Sequence, residues 1–433
     1  MKKTLGVIAD DLSGAMDTGV QILKKGIGAG VIFDAVYLDK MSKMADVIVV
    51  DTESRNIDVK SAYQKVGICV DVLRDKGINL IYKKIDSTLR GNIGGELSAV
   101  LDSGIADIVL AAPALPFNGR TTINGIHYVN GRKLEETELA HDPFSPVLYS
   151  YIPDIINMQT TQKVAVIPIS TIRSGRDEIK RSVKEIYSES CKIFVADAVD
   201  ENDLNEISKV VFDLNGIKVL PCGSAGLFEH IGCRICECFE SNISNKQGIK
   251  YMNSASNKKP VIIISGSPAN MTKKQIEYAG KMLDNIEVFR INNITGLDTE
   301  NILGQILISL KSNKNIIIDG AGESKETLLA KYGKNKERLF CESIGILNTL
   351  GYLAKCITDC FFDIGGLILL GGDTAINICK ALGVWGIILA GELEPYVPEG
   401  MLMLEEERFI RVATKAGGFG KEDTLVNIIK KFS

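Results

Sequence analysis

Short unbroken apolar runs alternate along the chain with longer stretches whose apolar positions recur every three to four residues. The first pattern is that of strands buried on both faces, the second that of helices packed on one side. In the opening region the pattern predicts strands at 4–9, 30–33, 47–51, 80–85 and 108–112, with helices at 14–25, 61–76 and 93–101. The rhythm stops after Ala112. Residues 113–147 are rich in Pro, Gly, Asn, Thr and charge, and a hairpin is expected over 124–134, turning on Asn130-Gly131. A polar segment of this length inside a compact domain reads as a functional loop. Strands resume near 164–167, 193–196 and 218–221.

The aperiodic, polar stretch 241–259 is the best boundary in the chain. It divides a first domain, 1–240, from a second, 260–433. The second repeats one local design. A strand at 261–264 leads to Ser265-Gly266-Ser267, one at 315–318 to Asp319-Gly320-Ala321-Gly322, and one at 367–370 to Gly371-Gly372-Asp373-Thr374, each followed by a helix. Such turns are expected along the carboxyl edge of one parallel sheet, where ligands of open α/β folds bind. The fold class is therefore α/β: two domains, each a mainly parallel sheet flanked by helices, with a ligand cleft between them.

Length and charge narrow the function. A chain of 433 residues exceeds what one hydrophobic core usually supports. A net charge of −4 without any basic block argues against a nucleic-acid partner. The longest apolar runs are strand-sized, well short of the roughly 20 residues of a membrane span. Asp10-Asp11 interrupts the opening apolar run too early for a secretory signal, so the cytoplasm is the expected location. The ten cysteines are then expected as free thiols. His230, Cys233, Cys236 and Cys238 would not converge on one side of a helix, which argues against a zinc site. Self-association is left open, a homo-oligomer included.

The densest chemistry lies in Ile81–Asn92, a strand that runs into charge, hydroxyls and glycine. Lys83, Lys84, Asp86, Ser87, Thr88 and Arg90 make a poor core but a good receptor for a small, anionic, hydroxyl-bearing molecule. Arg90 can grip a carboxylate or phosphate with two parallel N–H donors, and the helix start beyond Gly91 adds its own. The plainer reading is a capped loop, although capping needs one such residue and not five. Asp10-Asp11 ends the first strand, one of the pair reading as a helix cap, and Asp51–Arg55 repeats the pattern after another strand. Position 12 is leucine, so a D-x-D phosphatase motif is incomplete. His127 and His141 fall in the polar loop and His230 on a helix, and no Ser-His-Asp or Cys-His grouping is legible.

Three glycine turns of the second domain, 265–267, 371–374 and 417–420, are candidate phosphate cradles. Singly, each is what any tight strand-to-helix turn prefers; together they favour a nucleotide. The chain has no G-x-x-x-x-G-K-[ST] and no G-x-G-x-x-G after its first strand, which excludes a P-loop enzyme and weakens a dinucleotide reading.

These residues carry a resemblance. The stretches 7–15, 84–92 and 119–122 resemble the amino-terminal half of the four-carbon acid sugar kinases, and 264–267, 371–375, 391–395 and 414–420 resemble its carboxyl-terminal half. Ser13 stands where Thr is commoner. The resemblance implies a sugar-acid domain, a nucleotide domain, and ATP-dependent phosphorylation of the C4 hydroxyl of D-threonate, D-erythronate or a 3-oxo-tetronate; Gly371–Ala375 looks more like the first two groups. On that reading Arg55 and Arg90 hold the carboxylate, Asp11 and Asp86 bind hydroxyls with one of them taking the proton, Lys84 balances charge, and Ser87 and Thr88 line the substrate. Ser265, Gly266, Ser267, Gly371, Gly372, Asp373, Thr374, Gly417 and Gly418 hold ATP with Mg²⁺, whose ligands are not legible. The rival readings are a non-catalytic sugar-acid-binding protein and a nicotinamide-dependent dehydrogenase.

Overall fold

The computed structural model describes residues 5–141, 145–238, 259–291, 297–320 and 336–432. The chain separates into two compact units, Met1–Ser244 and Asn245–Ser433. Apart from Lys259, the expected linker lies outside the described residues, as do Ala321-Gly322. No described helix is long and apolar enough to cross a membrane.

In the first unit β1 (Leu5–Ala9), β2 (Ala29–Ile32), β3 (Val47–Asp51), β4 (Ile81–Lys84) and β5 (Ile108–Ala112) are followed by a small ribbon of β6 (Arg120–Ile123), β7 (Ile126–Val129) and β8 (Arg132–Lys133). The unit then adds β9 (Val164–Ile167), β10 (Ile193–Ala196) and β11 (Val219–Gly223). The main sheet runs β2-β3-β1-β4-β11-β5-β10-β9, and its pairings are parallel. Continuous Val/Ile runs form strands here because helices cover both faces, which makes an all-apolar segment the stable choice. The chain steps from β1 outward to β2 and β3, then crosses over to β4 on the other side of β1. That reversal opens a crevice at the carboxyl ends of β1, β3 and β4.

The polar loop holds one strand more than the hairpin expected from sequence. β6 turns into β7 on Asn124-Gly125, as β7 turns into β8 on Asn130-Gly131, and all four residues have positive φ. Two left-handed residues are what a two-residue turn needs to match strand twist. The first turn is pinned by Asp197 at the end of β10, whose carboxylate accepts from the backbone N–H of Asn124 (2.5 Å), Gly125 (2.8 Å) and Ile169 (3.0 Å).

The second unit contains β12 (Val261–Ser265), β13 (Ile286–Arg290), β14 (Asn315–Asp319), β15 (Gly366–Leu370), β16 (Gly386–Glu394), β17 (Val397–Met403) and β18 (Phe409–Lys415). Its order is β13-β14-β12-β15-β18-β17-β16, parallel as far as β18, with β17 antiparallel to both of its neighbours. The antiparallel strands are absent from the sequence-based expectation. β17 carries Pro398, Glu399 and Gly400, which hide its strand character, yet the whole strand is buried. Burial of Glu399 is compensated by Arg411 on β18, whose Nε lies 2.5 Å from its carboxylate.

Candidate functional site

The crevice of the first unit is wired by arginine. Asp10 and Asp11 follow β1, Arg55 follows β3, and Asp86 to Arg90 follow β4. Asp11 Oδ1 caps the helix Leu12–Leu23 by accepting from Gly14 N at 2.9 Å. Arg55 donates through Nε and one terminal nitrogen to Asp10 (2.8 and 3.1 Å) and through both terminal nitrogens to Asp11 (2.7 and 2.6 Å). Four of the five guanidinium N–H groups therefore already have carboxylate partners. Sequence reasoning gave Arg55 to the substrate carboxylate; in the structure it is the hub that holds two aspartates at the sheet edge.

Asp86 accepts from Arg90 Nε at 2.7 Å, from the Thr88 hydroxyl at 2.5 Å and from Arg90 N at 3.4 Å, with an Arg55 terminal nitrogen 4.0 Å away. Burial pushes its carboxyl pKa upward, but Arg90 and Arg55 outweigh that and hold it well below the usual range. At Asp10, burial is likewise overcome by Arg55 and Lys84, so the carboxyl is held low. Asp51 has no such cation: burial drives its pKa well above the ordinary value, and Glu53 N at 3.0 Å is its backbone donor.

The two lysines of the motif part company. Lys83 is fully buried and pairs with Glu96 at 2.8 Å, while Glu96 also accepts from Ser54 Oγ. It is a structural ion pair. Lys84 points to the other face, with its stem buried, and its ammonium forms no hydrogen bond or ion pair with any described residue. It sits against the start of the helix Leu12–Leu23, where a Cβ on Gly14 would lie 2.6 Å from Lys84 Nζ and 2.7 Å from Asp11 Oδ1. Gly14 is thus the gap into which that cation fits.

Two residues of the ribbon, neither singled out as a site residue from sequence, reach the same loop. Arg120 donates to the Ser87 hydroxyl. His127 is buried, with Nε2 2.9 Å from the Ser87 carbonyl and Nδ1 3.0 Å from the Thr122 hydroxyl. A carbonyl only accepts, so Nε2 carries the proton and Nδ1 accepts from Thr122. Burial lowers the His127 pKa to about 4, leaving the ring neutral. The signal was present in the polar loop, but the pairing that brings it to Ser87 needs the β6–β7 turn. Beside Arg90 lies a cavity of about 230 Å³, lined in part by Arg55, Asn56, Gly91, Asn92, Ser145 and Gln159. It is smaller than the roughly 300–1,000 Å³ of drug-sized pockets.

In the second unit the three glycine turns follow β12, β15 and β18, which are neighbours in the sheet. They meet in space. Gly266 N donates to Thr374 Oγ1 at 3.0 Å, and Gly371 N donates to Lys415 O at 2.8 Å. A Cβ on Gly371 would lie 3.2 Å from Ser267 Cβ, and one on Gly417 only 2.0 Å from Ser267 Oγ. Gly371, with φ +104, caps the helix Gly372–Leu382 and places Gly372, Asp373 and Thr374 in its first turn. The amides of Gly266 and Gly371 are spent on joining the turns, whereas the first-turn amides face the sheet edge as an anion receptor would.

Residues 5–231 match the family model of a sugar-binding N-terminal domain, and residues 262–425 that of a nucleotide-binding C-terminal domain. This chain belongs to the four-carbon acid sugar kinases. Among its kinase relatives, the D-threonate kinase of Salmonella typhimurium is 30% identical over 98% of this chain and 97% of its own. The D-erythronate kinase of Heliobacterium modesticaldum is 27% identical over 98% and 95%, and the 3-oxo-tetronate kinase of Haemophilus influenzae 26% over 97% of each. A solved structure from Salmonella typhimurium LT2 has the same fold at a TM-score of 0.79, with 23% identity over 99% of this chain and 100% of that one.

Proposed function

We propose that this kinase transfers the γ-phosphoryl group of ATP to the C4 hydroxyl of a four-carbon sugar acid, D-threonate or D-erythronate before a 3-oxo-tetronate. The observation that carries the acid half is Arg90, part-exposed at the cavity wall and oriented through Nε by an ionised Asp86. Arginine N–H donors match the two oxygens of a carboxylate in one plane, so an acid bound at Arg90 would present the far end of its four-carbon chain for reaction. Arg55 holds Asp10 and Asp11 in place at the crevice, where Asp11 and Asp86 accept from substrate hydroxyls. Lys84, buried beside Gly14 and acting electrostatically on Asp10, supplies positive charge where the phosphoryl group arrives. Ser87 and Thr88 shape the floor, Ser87 being held by Arg120 and His127.

In the second unit Ser265–Ser267, Gly371–Thr374 and Gly417-Gly418 hold the nucleotide. Mg²⁺ in nucleotide sites is bound by one or two carboxylates together with phosphate oxygens. The residues fit that role: Asp373 stands in the first turn of the helix Gly372–Leu382 and Asp319 ends β14, while the described residues contain no three-carboxylate cluster that would act as an all-protein cage. The ion would neutralise phosphate charge. Phosphoryl transfer asks the chain mainly for alignment and charge stabilisation.

The test is incubation of the purified protein with ATP, Mg²⁺ and D-threonate, D-erythronate or a 3-oxo-tetronate, with ADP release measured and the product located by ³¹P NMR. ADP formation with phosphate on C4 is expected. No ADP with any four-carbon acid would overturn the reading.

A further inference from the structure

Lys415 ends β18 and is 1% exposed, yet no carboxylate among the described residues pairs with it. Its ammonium donates instead to three carbonyls of the loop that follows: Ala416 O at 2.9 Å, Phe419 O at 3.0 Å and Gly417 O at 3.4 Å. Each of these oxygens has a second donor. Ala416 O accepts from Phe419 N at 3.1 Å, Gly417 O from Thr272 Oγ1 at 2.7 Å, and Phe419 O from Gln275 Nε2 at 3.1 Å. Three peptide planes are thereby fixed with their carbonyls turned inward.

A trans peptide carries its N–H opposite its C=O. Carbonyls of 416, 417 and 419 turned toward the ammonium therefore turn the N–H groups of Gly417, Gly418 and Gly420 away from it. All three are glycines, and none of the three N–H groups has a hydrogen-bond acceptor among the described residues. A Cβ on Gly418 would meet nothing within 4 Å, and Gly420 holds a φ of +86. Backbone N–H groups without protein acceptors, lying over a buried positive charge, are the donors an anion-binding nest uses.

We propose that Lys415 is the positioning residue that makes the loop 416–420 a phosphate nest, drawing its carbonyls inward so that the amides of Gly417, Gly418 and Gly420 face the phosphates of the nucleotide. It acts through the loop, since its three N–H donors are already occupied. The inference rests on the nucleotide reading of the second unit and adds which donors meet the phosphates and what aims them.

Calorimetric titration of the full chain tests it, with ATP, tripolyphosphate and adenosine as probes. Lys415→Met removes the charge at similar length, while Lys415→Arg keeps it. The methionine variant should bind ATP and tripolyphosphate at least thirtyfold more weakly and adenosine unchanged. KM for ATP should rise with it, and kcat at saturating ATP should fall less than tenfold. The arginine variant should recover part of the phosphate affinity. Unchanged ATP and tripolyphosphate affinity in a folded Lys415→Met protein would overturn the nest and leave the kinase reading standing. Native protein that binds neither ATP nor tripolyphosphate would overturn both. Should Lys415→Met fail to fold, ¹⁵N-glycine spectra of the native chain decide: tripolyphosphate must shift the amides of Gly417, Gly418 and Gly420, and their silence rejects the proposal.

Discussion

Arg55 lies 2.6 Å from Asp11 and 2.8 Å from Asp10, so one guanidinium spans two adjacent carboxylates from a neighbouring strand. Removing it leaves Asp10, almost fully buried, without its main counter-charge. Arg55→Ala should therefore cost about 3–5 kcal/mol of stability, the usual penalty for orphaning one partner of a buried pair. Arg55→Lys should not rescue it, because an ammonium cannot bridge both carboxylates in a plane. Urea unfolding measures both. A midpoint for Arg55→Lys equal to that of the native chain would contradict the hub.

Gly14→Ala separates site from scaffold. In an open helix the change would add about 0.5–1 kcal/mol of stability. Here the new methyl would lie 2.6 Å from Lys84 Nζ and must push the ammonium aside. Activity with the sugar acid should fall tenfold or more while the melting temperature moves little, as kinetics and calorimetry on the same sample would show. Full activity would mean that Lys84 has no part in turnover.

Asp86 is held ionised far into acid by Arg90 and Arg55, so its charge should not limit the acid side of the rate profile. Asp86→Asn should lower kcat/KM by two orders of magnitude or more, since Arg90 and Thr88 lose the negative charge of the oxygen they share. Near-normal turnover in Asp86→Asn, with collapse in Asp11→Asn, would move the proton acceptor to Asp11.

His127 titrates near 4 in the fold and near 6.5 when unfolded, because burial disfavours the imidazolium. The unfolded chain therefore binds more protons between those values. The contribution of His127 to stability is complete above about pH 6.5 and is lost as pH falls toward 4. An NMR titration should find this imidazole neutral at pH 5.5, and a midpoint above 6 would refute its placement.

Lys415 couples two effects of opposite sign, one on stability and one on affinity. Burial alone lowers its pKa to about 8 from an ordinary 10.5, and no charged side chain contributes to the shift. Stability should rise with pH between those two values, since the unfolded chain holds the extra proton there. Affinity for ATP should fall as pH rises through about 8, where the folded ammonium discharges. Titrations at pH 7 and 9 test this: the native chain should weaken severalfold and Lys415→Met should not change.

Much of this was legible in the pattern of the chain. The β3 and β5 strands coincide with their apolar runs, and Asn130-Gly131 turns where a left-handed pair must. Family motifs gave the kinase assignment. Harder to read was which polar residue spends itself on another. Lys83 and Lys84 are adjacent and chemically alike, yet strand alternation sends one to Glu96 and the other to the helix start at Gly14. Arg55 and Arg90 likewise look alike in sequence, yet Arg55 joins Asp10 to Asp11 while Arg90 donates to Asp86. The strands β16 to β18 escaped because Glu399 and Gly400 break the apolar run, and only the partner Arg411, twelve residues on, makes the charge tolerable.

Pinning of the β6–β7 turn by Asp197 has an outcome for how such an enzyme diversifies. The ribbon has its first turn anchored to the end of β10, while its strands supply Arg120 and His127 to Ser87. Exchanges on the ribbon can therefore alter the setting of Ser87 and leave the load of folding with the parallel strands underneath.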